Sequence, residues 1–193
     1  LYPDPESLVL RQAIAARNNL RPEQVFVGNG SDEVIALAFM ALLKHELPLY
    51  FPDVSYSFYP VWSRLYGITY ETVPVGQDFS IDPAAYPAHN GGIIIPNPNA
   101  PTGMLMSLDA IRTLLCKSAD SAVVIDEAYI DFGGESAVQL INEFEKLTGE
   151  AIVLNSSFNV MGESIVNNPK EAIRCFYDSG IDALFIGNYF VEK

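Results

Sequence analysis

Short runs of β-branched and aromatic residues alternate along the whole chain with longer stretches of helical periodicity. The runs Val25–Val27, Leu49–Phe51, Ile68–Val73, Gly92–Ile95, Ala122–Ile125, Ala151–Leu154 and Ala183–Ile186 predict strands. Between them, Ser7–Asn18, Ser31–Lys44, Tyr56–Tyr66, Leu108–Lys117, Val138–Thr148 and Pro169–Ser179 predict helices. Turn formers separate the elements, among them Gly28-Asn29-Gly30, Gly76-Gln77-Asp78, Asn97-Pro98-Asn99 and Asp178-Ser179-Gly180. This alternation predicts an α/β domain of three layers built on a mostly parallel sheet. No repeat of fixed period interrupts it.

Composition narrows the function classes. The chain has 193 residues, 49% of them hydrophobic and 18% charged, which fits a folded domain and excludes a disordered one. A net charge of -13 repels a phosphate backbone, so nucleic acid is excluded as a partner. The longest apolar stretches, such as Val34–Leu43, fall well short of the roughly 20 residues of a membrane span. Cys116 and Cys175 are too few and too far apart for a disulfide framework or a zinc site, so a reducing cytoplasm and no bound metal are expected. The chain opens at Leu1 without a basic or apolar leader, and Tyr2-Pro3-Asp4-Pro5 reads as an extended segment entering a helix.

In α/β sheets ligands gather at the carboxyl ends of strands, which singles out the loops after Val27, Ile95 and Ile125. Gly28-Asn29-Gly30-Ser31-Asp32-Glu33 offers glycines, a hydroxyl and a helix N-terminus suited to an anion, and equally an N-cap at Ser31. Pro96-Asn97-Pro98-Asn99-Ala100-Pro101-Thr102-Gly103 aims side-chain amides from an irregular backbone, for a ligand or for the turn itself. Asp126 ends an apolar run, where a carboxylate is costly unless a cation meets it. Tyr56, past another strand end, could stack on a flat heterocycle or serve in packing.

In combination these loops are specific. The order Tyr-Pro, Gly-Ser-Asp-Glu, Tyr, Asn-Ala-Pro-Thr-Gly, Asp-Glu-Ala-Tyr resembles the fold-type I pyridoxal-phosphate aminotransferases, most of all their histidinol-phosphate aminotransferase branch, over about residues 1–141. The resemblance implies the large, cofactor-binding domain of such an enzyme and amino-group transfer to or from a small amino donor or a phosphate-bearing substrate. Ser31 and Asp32 would bind the cofactor phosphate through their backbone, Tyr56 would stack on the pyridine ring, and Asp126 would pair with its protonated nitrogen. Tyr129 would bond the phenolic oxygen, and so would Asn99, because Ala100 stands where most of the family has Asn. Tyr2 would reach the phosphate of a neighbouring subunit, making the active site a property of a homodimer.

The family's lysine, which holds the cofactor as a Schiff base, falls by this counting on Ser156 in Leu154-Asn155-Ser156-Ser157-Phe158. No catalytic residue is therefore assigned, and the resemblance implies non-covalent cofactor binding at best, without amino transfer. Residues 142–193 instead resemble the C-terminal end of the nodulation-type O-carbamoyltransferases, with Met161 replacing an arginine of that family's Asn-Thr-Ser-Phe-Asn-Val-Arg-Gly-Glu-Pro segment. The expectation is a chimera joined near Leu140-Ile141-Asn142, whose tail completes the same α/β layer. Two other readings stand beside the aminotransferase one: a catalytically silent chimeric α/β scaffold, and a carbamoyltransferase fragment.

Overall fold

In the computed structural model, residues 4–141 are described, together with 173, 183–186 and 189–192. Strands β1 (Leu49–Pro52), β2 (Tyr70–Val73), β3 (Ile93–Pro96) and β4 (Val123–Asp126) form one parallel sheet in the order β2-β1-β3-β4. Helix α1 (Leu8–Arg17) precedes the sheet, α2 (Ser31–Ala41) leads towards β1, α3 (Tyr59–Tyr66) connects β1 to β2, and α4 (Leu108–Lys117) connects β3 to β4. The order steps outward from β1 to β2, then returns to β3 on the other side of β1 and continues to β4. The crevice between β1 and β3 is therefore the topological switch point, where such sheets place ligands.

Side-chain alternation along β3 divides the core between the two faces of the sheet. Ile94 packs with Ile35 and Phe39 of α2, with Leu43 just beyond that helix, with Tyr59 of α3 and with Val124. Ile93 and Ile95 point the other way, against Ile111 and Leu114 of α4, Tyr86 and Leu140. All three isoleucines are fully buried, as expected of a central parallel strand covered by helices on both faces. The expected three-layer α/β class is thus present.

Element boundaries moved for local reasons. Val25–Val27 is no strand: Pro22–Gln24 forms a 3-10 turn closed by Val25 N–H on Pro22 O, leaving Val25 as a single bridge residue. The helix expected from Tyr56 begins at Tyr59, with Pro60 in its first turn, where the missing N–H costs nothing. Ser31 is not the N-cap of α2; Gly30 holds that place at φ 87° and supplies no side-chain cap. Helix α4 ends its chain of carbonyls conventionally but starts with a true cap, Ser107 Oγ accepting from Ala110 N–H at 3.2 Å. Ser107→Ala is expected to lose about 1 kcal/mol of unfolding free energy in urea denaturation.

Residues 138–141 are helical, as expected for the start of Val138–Thr148. Further on, β5 (Ala183–Ile186) lies where a strand was expected but pairs antiparallel with β6 (Tyr189–Glu192), which was not foreseen. The strand expected at Ala151–Leu154 lies outside the described residues, as does the helix expected at Pro169–Ser179 apart from its helical residue 173. Among the described residues, no helix is long and apolar enough to cross a membrane.

Candidate active site

The loops leaving β1, β3 and β4 meet the start of α2 at the switch point. They enclose a cavity of about 130 Å³ lined by Ser31, Asp32, Tyr56, Ala100, Asp126 and Tyr129, with prolines and Ile35 completing the wall. Five of the seven residues singled out from sequence are therefore in one place. Of the other two, Tyr2 lies outside the described residues and Asn99 is not in the lining; Ser156, the position matched to the lysine, also lies outside the described residues.

Asp126 is the last residue of β4, so the strand carries its half-buried carboxylate to the rim of the sheet. Oδ2 accepts from the Tyr59 hydroxyl at 2.8 Å, and Oδ1 from Ala128 N–H at 3.2 Å. Burial raises its pKa most, and the Asp32 carboxylate adds to the rise; the hydrogen bonds from Tyr59 and Ala128 oppose it. Among the described residues, no basic side chain lines the cavity. A carboxylate in a cavity wall with two donors and no cation is a binding feature for a cationic ligand group.

Tyr56 occupies the loop after β1, and its hydroxyl donates to Asp32 Oδ1 at 2.9 Å. Its ring meets Tyr59 edge-on, centroids 5.6 Å apart at 80°, and stacks on Phe58 at 5.8 Å. Both ligand stacking and packing thus remain compatible with its place in the wall. Desolvation, then the bond to Asp32, pushes its pKa upward, so it is a neutral donor at physiological pH.

The loop after β3 is built by its asparagines. Asn97 Oδ1 accepts from Met106 N–H at 2.8 Å, and Asn97 N–H donates to Asp126 O at 2.8 Å. Asn99 is fully buried behind the lining, its Nδ2 donating to Val54 O at 2.9 Å and Thr102 Oγ1 at 3.1 Å. This ties the β3 loop to the β1 loop and leaves Asn99 Oδ1 buried without a partner. Ala100, not Asn99, is the residue at the cavity surface. Tyr129 is half exposed, its ring 6.2 Å from Phe132.

Two residues escaped the sequence reading. Tyr59 holds Asp126, and no local pattern marks it, because its partner lies 67 positions away. Glu127 turns from the cavity to accept from Ser136 Oγ and Ala137 N–H, both at 2.6 Å, anchoring the start of the helical segment 138–141. Its pKa is raised by burial against those bonds.

Fold and site together define a parallel α/β domain whose switch point offers an aromatic wall, a helix N-terminus and the carboxylates of Asp126 and Asp32 to a flat, cationic ligand. The chain belongs to the aminotransferase class I and II family, whose model matches residues 1–163. That match runs past residues 140–142, where the sequence placed a join. Members of this family use pyridoxal phosphate. Histidinol-phosphate aminotransferase 2 of Dechloromonas aromatica is 58% identical over 148 residues, covering 76% of this chain and 42% of the relative. Histidinol-phosphate aminotransferase of Aromatoleum aromaticum is 59% identical over 151 residues, covering 76% and 42%. Among solved structures, histidinol-phosphate aminotransferase from Clostridium acetobutylicum matches with a TM-score of 0.65 at 25% identity, over 74% of this chain and 44% of that one. The chain thus spans about two-fifths of the length of the relatives it matches.

Proposed function

We propose that this chain carries the cofactor-binding domain of a histidinol-phosphate aminotransferase-like protein and binds pyridoxal phosphate non-covalently in the switch-point cavity. The observation that carries the reading is Asp126, a carboxylate fixed at the end of β4 and facing a cavity in which no described residue supplies a cation. A protonated pyridine nitrogen supplies the missing charge. When bound, the cofactor contributes an electron-withdrawing ring that stabilises negative charge on the carbon next to an amino group.

The protein's share is to bind and orient. Asp126 keeps the ring nitrogen protonated, Tyr56 covers a ring face, and Tyr129 offers its hydroxyl to the phenolic oxygen. The phosphate goes to the start of α2, where the cap residue is Gly30 and carries no side chain, towards the backbone of Ser31 and Asp32. Asp32 lines the same space, and its hydrogen bond from Tyr56 turns part of that carboxylate away from an incoming anion. The buried Asn99 does not reach the cavity lining, so Asn99 acts by bracing the loop from behind.

Amino transfer needs a base that moves the substrate proton, and the matched position carries Ser156. The chain is therefore a binder without turnover, acting in the cytoplasm, with amino and keto acids or phosphate-bearing amines as the substrates of its family relatives and a second copy as its partner through Tyr2. The carbamoyltransferase-like resemblance read over residues 142–193 overlaps the family match as far as residue 163, and a separate origin is proposed for residues 164–193 alone.

Pyridoxamine phosphate is the clean probe because it cannot condense with surface lysines. The expected result is a melting temperature that rises with its concentration and saturates. An unchanged melting temperature at millimolar ligand would contradict the proposal.

A further inference from the structure

Tyr59 does not line the cavity, yet it controls the group that does. It is the first residue of α3, fully buried, with its ring between Phe39 at 6.0 Å and Phe51 at 5.7 Å. Its backbone is fixed at both ends: N–H donates to Tyr56 O at 3.2 Å, and its carbonyl accepts from Ser63 Oγ at 2.9 Å. From that rigid mount the hydroxyl reaches across the sheet to Asp126 Oδ2. A phenylalanine would fill the same core space, so packing alone does not account for the hydroxyl. We propose that Tyr59 is a positioning residue, whose hydroxyl holds the Asp126 carboxylate in place, as a charged acceptor, for a cationic ring nitrogen in the cavity. The inference rests on the cofactor reading above and adds the residue that makes its central carboxylate competent.

The charges around Asp126 show why such a donor matters. Tyr59 bonds it from α3, Asp32 and Tyr56 interact with its charge from α2 and the β1 loop, Glu127 does so from the next position although its own bonds go to Ser136 and Ala137, and Tyr129 lines the same cavity. Asp32 opposes ionisation of Asp126, as burial does, while the hydroxyl of Tyr59 and the N–H of Ala128 favour it. Tyr59 itself is held well above the usual phenol range, by burial first and then by the adjacent carboxylate, so it donates at every physiological pH. Oriented donors of this kind bond a carboxylate about twice as strongly as they bond a neutral oxygen.

The test uses the full 193-residue chain labelled with ¹³C at aspartate carboxyls, without ligand, the Asp126 signal being identified by its loss in Asp126→Asn. In Tyr59→Phe the Asp126 titration midpoint moves upward by about one to two pH units. 3-Fluorotyrosine placed at position 59 alone, a stronger donor in the otherwise unchanged chain, moves it downward, which keeps the test available if Tyr59→Phe does not fold. An unmoved midpoint in both overturns the proposal. With pyridoxamine phosphate, Tyr59→Phe weakens binding about tenfold near the midpoint and shifts the acid limb of the affinity profile to higher pH. A loss equal at all pH values means packing alone and overturns it. In the Asp126→Asn background the same change has no further effect on affinity; an undiminished effect there also overturns it. Failure of the unaltered chain to bind pyridoxamine phosphate would sink the cofactor reading, while the ligand-free titration still decides the role of Tyr59.

Discussion

In the Asp126→Asn chain, affinity for pyridoxamine phosphate falls by about 2–4 kcal/mol, roughly thirty- to a thousand-fold, while the ligand-free protein becomes more stable at neutral pH. The two effects have one origin. Burial raises the pKa of Asp126 above its ordinary carboxylate value, so the folded state favours the neutral form. A carboxyl shifted upward contributes stability that is complete below the ordinary carboxylate range and is lost as pH rises through the folded-state value. Asparagine resembles that neutral form at every pH. The melting temperatures of the two chains should therefore coincide near about pH 3 and separate towards pH 8, with Asp126→Asn higher. Binding reverses the order, because a cation against the carboxylate repays what folding lost. Calorimetric titration measures the first effect, and thermal melts across pH measure the second. A variant that loses affinity and stability together would show Asp126 to be a structural residue.

The second large effect lies in the framework. Gly91→Ala is expected to cost about 3 kcal/mol or more, enough to unfold much of the population near physiological temperature. A Cβ at Gly91 would collide with the carbonyl of Leu47, which is backbone and cannot rotate away. The contact is close because the chain entering β3 lies against the chain entering β1: Gly91 N–H donates to Pro48 O at 2.8 Å and Tyr50 N–H to Gly92 O at 2.9 Å. Asn90 locks the same corner, its Oδ1 accepting from Gly92 N–H at 2.9 Å and Ser121 Oγ at 2.7 Å. By contrast, Gly67→Ala meets no atom and bears only the cost of a left-handed backbone at φ 68°, about 1–2 kcal/mol. Urea denaturation of both variants checks the ranking, and equal losses would show that the β1–β3 corner is looser than these distances indicate.

What was legible in the sequence followed from short-range physics. Ile93-Ile94-Ile95 between turn formers reads as a strand covered on both faces, and the structure buries all three. Asp126 was legible because a charge ending an apolar run needs a reason. The loops after β1, β3 and β4 were legible because strand ends are where α/β sheets gather chemistry, and they do meet at one cavity. The start of α2 was misread because Ser31 is a favoured cap, whereas Gly30 takes the cap position through a positive φ. Asn99 illustrates a further limit: spacing put an amide near the ligand loop, but only tertiary contact with Val54 shows that its donors are already engaged. Tyr59 was beyond reach altogether, since its role exists only after β1 and β4 are placed on either side of β3.

The central claim is that Asp126 provides a site for a protonated ring nitrogen. Pyridoxamine phosphate labelled with ¹⁵N in the ring, observed by NMR while bound to the chain at a pH above that at which the free ring loses its proton, tests it directly. The bound nitrogen is expected to resonate as the protonated form in the unaltered chain and as the neutral form in any residual complex with Asp126→Asn. A neutral ring nitrogen in the unaltered chain, or a protonated one unaffected by Asp126→Asn, would contradict the account.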